Sequence, residues 1–320
     1  MLTFIHKKTN ELTAEEKQQI CDLFANVFNK AKTVDKFDQQ FLNTTLGYSY
    51  HGLMLADGKI VGSYTSIPFK YKYFGKEYVF ALSVDTMIHK DYRGKPANIK
   101  KMANPVYENL IKDNIPFVFG FPNENVYLVR KKMLRWIDIG ELDYFILPLM
   151  IGAIKRKLKL LNPCSAVIAG LANKLAKDID SYKMGTMSDR NIEKINSEEF
   201  INYRYDDSYK KVKAADGAFF VYKIDIENGA RTAFVIDFYP LDKRLLEGAV
   251  KYIFNNEKDI DAIAYLGKLN KRPINLVKVP KRFEPKAVRM SGRILIDSKI
   301  DERVFDINNW NVNLSNFDVR

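Results

Sequence analysis

Val84-Asp85-Thr86-Met87-Ile88-His89-Lys90-Asp91-Tyr92-Arg93-Gly94-Lys95-Pro96-Ala97-Asn98-Ile99-Lys100-Lys101 runs from an apolar stretch through a basic, glycine-containing turn into a helical pattern. A helix start presents backbone N–H groups without intrahelical partners, together with the positive end of the helix dipole. A phosphate placed there gains hydrogen bonds and charge compensation at once. Arg93 and Lys95 add full positive charges, and Gly94 permits a tight backbone path with no Cβ in a ligand's way. The stretch therefore reads as strand, phosphate-cradling turn and helix.

Upstream, residues 51–54, the Asp57-Gly58 turn and residues 59–66 carry a hairpin signal, because this dipeptide supplies the positive backbone angles a tight hairpin demands. Residues 67–73, Phe74-Gly75-Lys76 and residues 77–84 repeat it, so an antiparallel meander leads into the turn. Leu2-Thr3-Phe4-Ile5 reads as a first strand, and Thr13-Ala14-Glu15-Glu16 opens a helix with a capping box. Ile20, Leu23, Phe24, Val27 and Phe28 follow at spacings of three and four and give that helix one core-facing side. Downstream, residues 106–112 read as helix, 117–121 as a buried strand, 128–134 as helix and 142–147 as a last strand. Asn104-Pro105 predicts either a kink in a helix running from Ile99 or a fresh start with Asn104 as N-cap and Pro105 in first position. The order specifies an α/β (α+β) class, with a mixed, largely antiparallel sheet flanked by helices.

At 320 residues and 47% hydrophobic content the chain holds one large core or two of ordinary size. Cys21 and Cys164 lie far apart and outside any ligand-spaced cluster, so neither a disulfide framework nor a structural zinc is indicated, and a reduced cytoplasm fits. The opening MLTFIHKKTNELT lacks the apolar run of a signal peptide, and no apolar run reaches the roughly 20 residues of a membrane span. A net charge of +12 implies anionic partners: nucleic acid, a membrane surface or phosphorylated small molecules. Neither His51 nor His89 accompanies a serine or cysteine in a nucleophile motif, and both read as structural.

Between residues 150 and 185 apolar Ile154, Leu158, Leu161, Val167, Ile168, Leu171 and Leu175 interleave with Lys155, Arg156, Lys157, Lys159, Lys174 and Lys177. Two connector helices broken at Asn162-Pro163 are expected, packing across a domain boundary or touching anionic lipid at the membrane periphery. The reading divides the chain into residues 1–149, a helical connector 150–185, and a second half 186–320. That half again offers strands (218–224, 232–238), a helix (241–254) and a strand (260–265), a plausible diverged repeat of the first. Residues 231–242 contain no glycine and no Arg-Gly pair, so the second half is not expected to bind a coenzyme.

His89-Lys90-Asp91-Tyr92-Arg93-Gly94-Lys95 resembles the pyrophosphate-binding signature of the GNAT superfamily of acyl-CoA N-acyltransferases. Phe117-Val118-Phe119-Gly120-Phe121-Pro122-Asn123-Glu124-Asn125 resembles that family's next strand and its Asn-bearing turn, and Met133-Leu134-Arg135-Trp136 the close of its last helix. The resemblance covers residues 1–149 with elements in the right order. It implies that the strand ending near His89 splays from the one at Phe117, with pantetheine held along Met87, Ile88 and His89. It also places the phosphates on Arg93, Gly94, Lys95, Ala97, Asn98 and Ile99, and adds Asn125 to the acetyl-CoA site. Pro96 and Asn98 stand where the family has small residues, which shifts binding toward Arg93, Lys95 and the main chain.

Acyl transfer to an amine needs a base, a donor for the developing oxyanion and a proton for the departing thiolate. The donor would be a backbone N–H near Met87. The base would be Asp85 or Glu124. Lys131 occupies the place where the family carries an acidic tyrosine, leaving Tyr127 as the nearest substitute. Tyr203-Arg204-Tyr205 and residues 310–319 resemble segments of two-domain GNAT-like proteins of bacterial polysaccharide biosynthesis. There the second unit helps form the acceptor pocket, to which Arg204, Asp237 and Asp318 would contribute. The resemblance thus implies an acetyl-CoA-dependent N-acetyltransferase without metal, acting on a small amine such as an amino sugar or its nucleotide conjugate, with no nucleic acid partner. Its competitors are an aminoacyl-tRNA-dependent transferase of the tandem fold, and a coenzyme-binding protein without catalysis.

Overall fold

The computed structural model describes residues 1–184 and 190–317; Asp318 lies outside the described residues. The chain forms two compact units. The first comprises Met1–Glu141, Ile192–Arg204 and Val288–Asn309. Its strands are β1 (Leu2–Lys8), β2 (Tyr50–Ala56), β3 (Lys59–Tyr73), β4 (Lys76–Ile88), β5 (Phe117–Gly120) and β6 (Ile137–Glu141), and its helices are α1 (Ala14–Phe28), α2 (Val34–Phe41), α3 (Ala97–Lys112) and α4 (Glu124–Leu134). The second unit begins with β7 (Asp143–Pro148), α5 (Ile151–Ile154) and α6 (Asn162–Leu175). The chain then returns to the first unit for β8 (Ile192–Lys194) and α7 (Glu198–Arg204). The second unit resumes with β9 (Lys210–Lys213), β10 (Phe219–Glu227), β11 (Ala230–Tyr239), α8 (Lys243–Asn256), β12 (Ala262–Gly267) and β13 (Val277–Lys278), and β14 (Arg289–Ile294) closes the sheet of the first.

In the first unit β1, β2, β3 and β4 form an antiparallel meander whose turns fall at Asp57-Gly58 and Phe74-Gly75, all four residues at positive φ. Strand β4 pairs with β5 in parallel, limited to Phe80↔Phe117, Ala81↔Val118 and Leu82↔Phe119. Strand β14 pairs antiparallel with β5 on one side and β6 on the other.

The predicted last strand of the first half differs from what forms. Residues 137–141 make β6, and the next strand, β7, pairs with β12 in the second unit's sheet. Sequence adjacency misleads here because the open edge of β5 is satisfied by Ser291–Ile294, more than 150 residues later.

Helix α3 also departs from expectation: it runs unbroken through Pro105. A proline inside a helix removes one hydrogen bond and crowds the preceding turn, costing about 3 kcal/mol. Met102, Ala103, Val106, Tyr107 and Leu110 continue one buried face on both sides of it. At roughly 1.5–3 kcal/mol for each large buried apolar side chain, their packing on β1, β2 and β3 outweighs that penalty.

The second unit repeats the pattern: antiparallel hairpin β10–β11, helix α8, then β12 parallel to β11. Its core joins Phe220, Val235 and Tyr265 of the sheet to Leu246, Val250 and Ile253 of α8.

His51 lies fully buried on β2, its ring nitrogens 2.8 Å from Thr9 Oγ1 and 3.1 Å from Thr65 Oγ1 and its plane stacked on Phe37. Burial pushes its pKa down from 6.5 to about 3. Between these values the unfolded chain binds a proton that the native chain does not, so stability falls as pH drops from 6.5 toward 3. Each pH unit costs about 1.4 kcal/mol from this group. His51→Gln, compared with the wild type by urea unfolding across that window, should show a shallower pH dependence by about one proton.

Candidate functional site

Strand β4 outruns its partner. Past Leu82 and Phe119 no pairing joins it to β5, and β4 continues to Ile88 along β3 alone. On that free length the register slips between Ser63↔Met87 and Thr65↔Val84, so Asp85 and Thr86 oppose Tyr64 alone. This is a β-bulge, and Asp85 takes the left-handed conformation at φ 44° that it requires.

A cavity of about 470 Å³ opens at this place. Thr86, Met87 and Ile88 of β4 form one wall; Asn123, Asn125, Val126 and Val129 of α4 and its approach form another. The basic turn Arg93-Gly94-Lys95-Pro96 with Ile99 of α3 closes one end, and Val27 and Phe28 at the end of α1 line it as well.

The turn itself begins with one 3₁₀ turn, Lys90–Tyr92, capped by His89. Gly94 then takes φ +94°, a region costly for any residue with a Cβ. The Asn98 N–H returns to the Lys95 carbonyl (2.9 Å) and the Ile99 N–H to the Pro96 carbonyl (3.2 Å), so the helix start is already tightened around the proline. Arg93 is exposed, and its Nε donates to the Ile88 carbonyl at 2.9 Å, which fixes the guanidinium at the cavity rim. A wall of free strand, a helix start and two cations around one opening suit a ligand that is extended at one end and anionic at the other.

Seven of the ten residues expected at the coenzyme therefore line one cavity: Met87, Ile88, Arg93, Gly94, Lys95, Ile99 and Asn125. His89 has its N–H taken by the Val61 carbonyl (2.8 Å), while its own carbonyl accepts from Tyr92 (2.9 Å). Ala97 is exposed in the first turn of α3, and Asn98 is buried there.

The catalytic candidates separate. The Asp85 carboxylate accepts from Lys32 Nζ at 2.7 Å with both side chains largely buried, and Lys32 also bonds Gln40 Oε1 and lies 4.1 Å from the centre of the Phe24 ring. Glu124 is exposed in the first turn of α4, between the lining residues Asn123 and Asn125. Tyr127 stands on another side of α4, donating to Asp138 Oδ2 (2.9 Å) while Lys131 bonds the same carboxylate at 2.6 Å. Arg204 ends α7 in the first unit. Asp237, in the second, is buried and accepts from Tyr205 Oη (2.8 Å) and Asn313 Nδ2 (2.9 Å).

Sequence reasoning missed Arg130. It is only 4% exposed, yet its Nη2 donates merely to Ser83 Oγ (3.2 Å) and Thr86 Oγ1 (3.1 Å), with its plane 4.5 Å from the Trp136 ring. Its Nε and Nη1 have no partner among the described residues, and burial lowers its pKa. The ionisable groups acting on it are the phenols Tyr64 and Tyr107, which bond each other at 2.9 Å. A buried cation without a carboxylate is costly. Here it backs the bulge through its bond to Thr86. The available signal was its place one turn from Val126 and Leu134 on the buried side of α4, where a cation is out of pattern. Val27 and Phe28 were missed because their spacing alone reads as core.

Among the described residues no three His, Cys, Asp or Glu side chains converge as metal ligands would. No curated protein matches the chain. Among solved structures the chain is similar to a protein from Enterococcus faecalis described as a probable N-acyltransferase, at 14% identity and a TM-score of 0.57 over 92% of this chain and 73% of that one. It is similar to a GCN5-related N-acetyltransferase from Anabaena variabilis (14%, 0.56, 92% and 73%) and to another from Kribbella flavida (11%, 0.58, 92% and 71%). At such identities the likeness is one of fold. Residues 8–131, which carry the bulge, the basic turn and the cavity walls, match the family model of the acetyltransferase (GNAT) domain.

Proposed function

We propose that the first unit transfers an acyl group, most simply acetyl, from acyl-CoA to an amine. The observation that carries the reading is the single cavity joining the unpaired length of β4 to the Arg93-Gly94-Lys95 turn at the start of α3. Bound there, the coenzyme supplies an activated thioester. The protein's part is to hold the diphosphate with Arg93 and Lys95, to lay the pantetheine along Met87 and Ile88, and to keep the reacting end against the bulge.

For the base we favour Glu124 over Asp85. Glu124 has no ion-pair partner among the described residues and lies in the chain between the lining residues Asn123 and Asn125, whereas the Asp85 charge is matched by Lys32. Asp85 is then the anchor of the bulge. Thr86 Oγ1 accepts from Arg130, so its own proton is free to meet negative charge growing on the departing sulfur, with the buried guanidinium behind it. On this reading Tyr127, held by Asp138, stands apart from the proton transfers.

The acceptor class we carry forward is an amino sugar or its nucleotide conjugate. The pairing of apolar Val27 and Phe28 with the amides of Asn123 and Asn125 around the cavity supports it, since sugar rings pack on apolar faces and amides bond hydroxyls.

Incubation with acetyl-CoA and a panel of amino sugars should release free thiol with at least one acceptor. Normal coenzyme binding by calorimetry with no release across amines of every class would leave a binding protein instead, and salt-sensitive retention of tRNA would favour the aminoacyl-transfer alternative.

Arg93→Ala should raise the KM for acetyl-CoA about tenfold, the loss expected for one charge-assisted hydrogen bond. An unchanged KM would put the phosphates elsewhere. Glu124→Gln should lower kcat about 100-fold or more at constant coenzyme affinity, the scale of a lost general base. Asp85→Asn should instead lower the melting temperature by leaving Lys32 unpaired, and Lys32→Met added to it should restore part of the loss.

A further inference from the structure

In the second unit α6 is built inside out. Its buried positions are small or polar: Ser165, Ala169 and Asn173. They are fastened by hydrogen bonds, Ser165 Oγ to the Leu149 carbonyl (2.9 Å) and Asn275 Nδ2 to Asn173 Oδ1 (2.9 Å). The outward stripe is apolar: Val167, Ile168, Leu171 and Leu175 are 58–76% exposed. The preceding turn adds Leu160, 93% exposed. A helix at a water-facing surface normally presents the opposite pattern, and the polar anchors on the inner face fix this orientation.

The charge around the stripe has one sign. Lys155, Arg156, Lys157, Lys159, Lys174 and Lys177 are all exposed, and between Asp143 and Asp178 the chain contains no aspartate or glutamate. None of the six pairs with a carboxylate among the described residues. Phe283 joins the patch, half exposed and 4.8 Å from Lys155 Nζ. No helix among the described residues is long and apolar enough to cross a membrane.

We infer that α6 and the basic turn before it form a docking surface for an anionic lipid membrane, with the apolar stripe entering the interface and the cations meeting the headgroups. An apolar stripe flanked by cations is the arrangement that gains from both parts of such an interface, the acyl boundary and its negative surface potential. A partner protein would have to supply a large, purely acidic rim to match the six cations; an anionic bilayer offers that charge everywhere on its surface. The surface is separate from the cavity in the first unit, so the inference stands whether or not acyl transfer does.

The test is flotation of the full-length protein with vesicles of phosphatidylcholine alone and of phosphatidylcholine with phosphatidylglycerol. Binding is expected to the anionic vesicles and to weaken as salt is raised. Neutralising Lys155, Arg156 and Lys157 to Gln should weaken it about fivefold per cation. Ile168→Gln with Leu171→Gln, both at exposed positions, should weaken it at least about tenfold at unchanged net charge. Failure to bind anionic vesicles at low salt overturns the inference. So does binding that the double glutamine variant leaves unchanged, which would reduce the effect to overall charge. A wild-type dimer that the same variant dissociates, without vesicle binding, would assign the stripe to a second copy of the chain.

Discussion

Three residue pairs, from Phe80↔Phe117 to Leu82↔Phe119, are all that hold β4 parallel to β5. Every feature of the candidate site depends on where that pairing stops. On its β5 side the remaining length of β4 has no neighbouring strand among the described residues, and a cleft is formed there without any insertion. The bulge then turns Asp85 to Lys32 and Thr86 to the cavity. The rest of the first unit secures this arrangement: α3 packs its apolar face on the meander, and β14 covers the far edge of β5.

The second unit shows how the same topology is closed. Strand β11 also pairs in parallel with β12 for a short distance, from Thr232↔Ala262 to Val235↔Tyr265. Beyond it the chain's own segment after β14 meets the end of β12. The Lys268 N–H bonds the Val312 carbonyl (2.9 Å), Asn313 bridges to Gly267, and the Asn313 side chain bonds Asp237. Asp237, expected in an acceptor pocket, is there bonded to Tyr205 and Asn313.

Burial of charge divides the two sides of the β4 bulge. Toward α1 and α2, Lys32 and Asp85 neutralise each other beneath the Phe24 and Phe41 rings. Toward α4, Arg130 has only hydroxyls and an indole face. The protein thus keeps one matched pair and one unmatched cation within a few residues of each other on the same strand. An unmatched buried cation favours whatever negative charge comes near it. Its bonded partner Thr86 lines the cavity.

The sequence by itself determined the hairpins, the helix faces and the basic turn, because each is written in neighbouring residues: Asp57-Gly58 needs no distant partner to bend, and Arg93-Gly94-Lys95 sets two cations about a glycine just before a helix. It also carried the order of elements that resembles the acetyltransferase (GNAT) fold. Only the tertiary structure decided that β7 leaves the first sheet and β14 enters it, since a strand's edge preference is set by which partner is free to complete its hydrogen bonds. The helix through Pro105 was decided the same way, by burial on the sheet outweighing a local penalty. Partners of charged side chains were the least legible of all. Asp85 meets Lys32 across 53 residues and Arg130 meets no carboxylate among the described residues, and nothing in the spacing of either residue foretells it. The basic turn stood in the sequence, but the ion pair that takes up the Asp85 charge was settled by packing, because a salt bridge forms wherever folding brings two charges together.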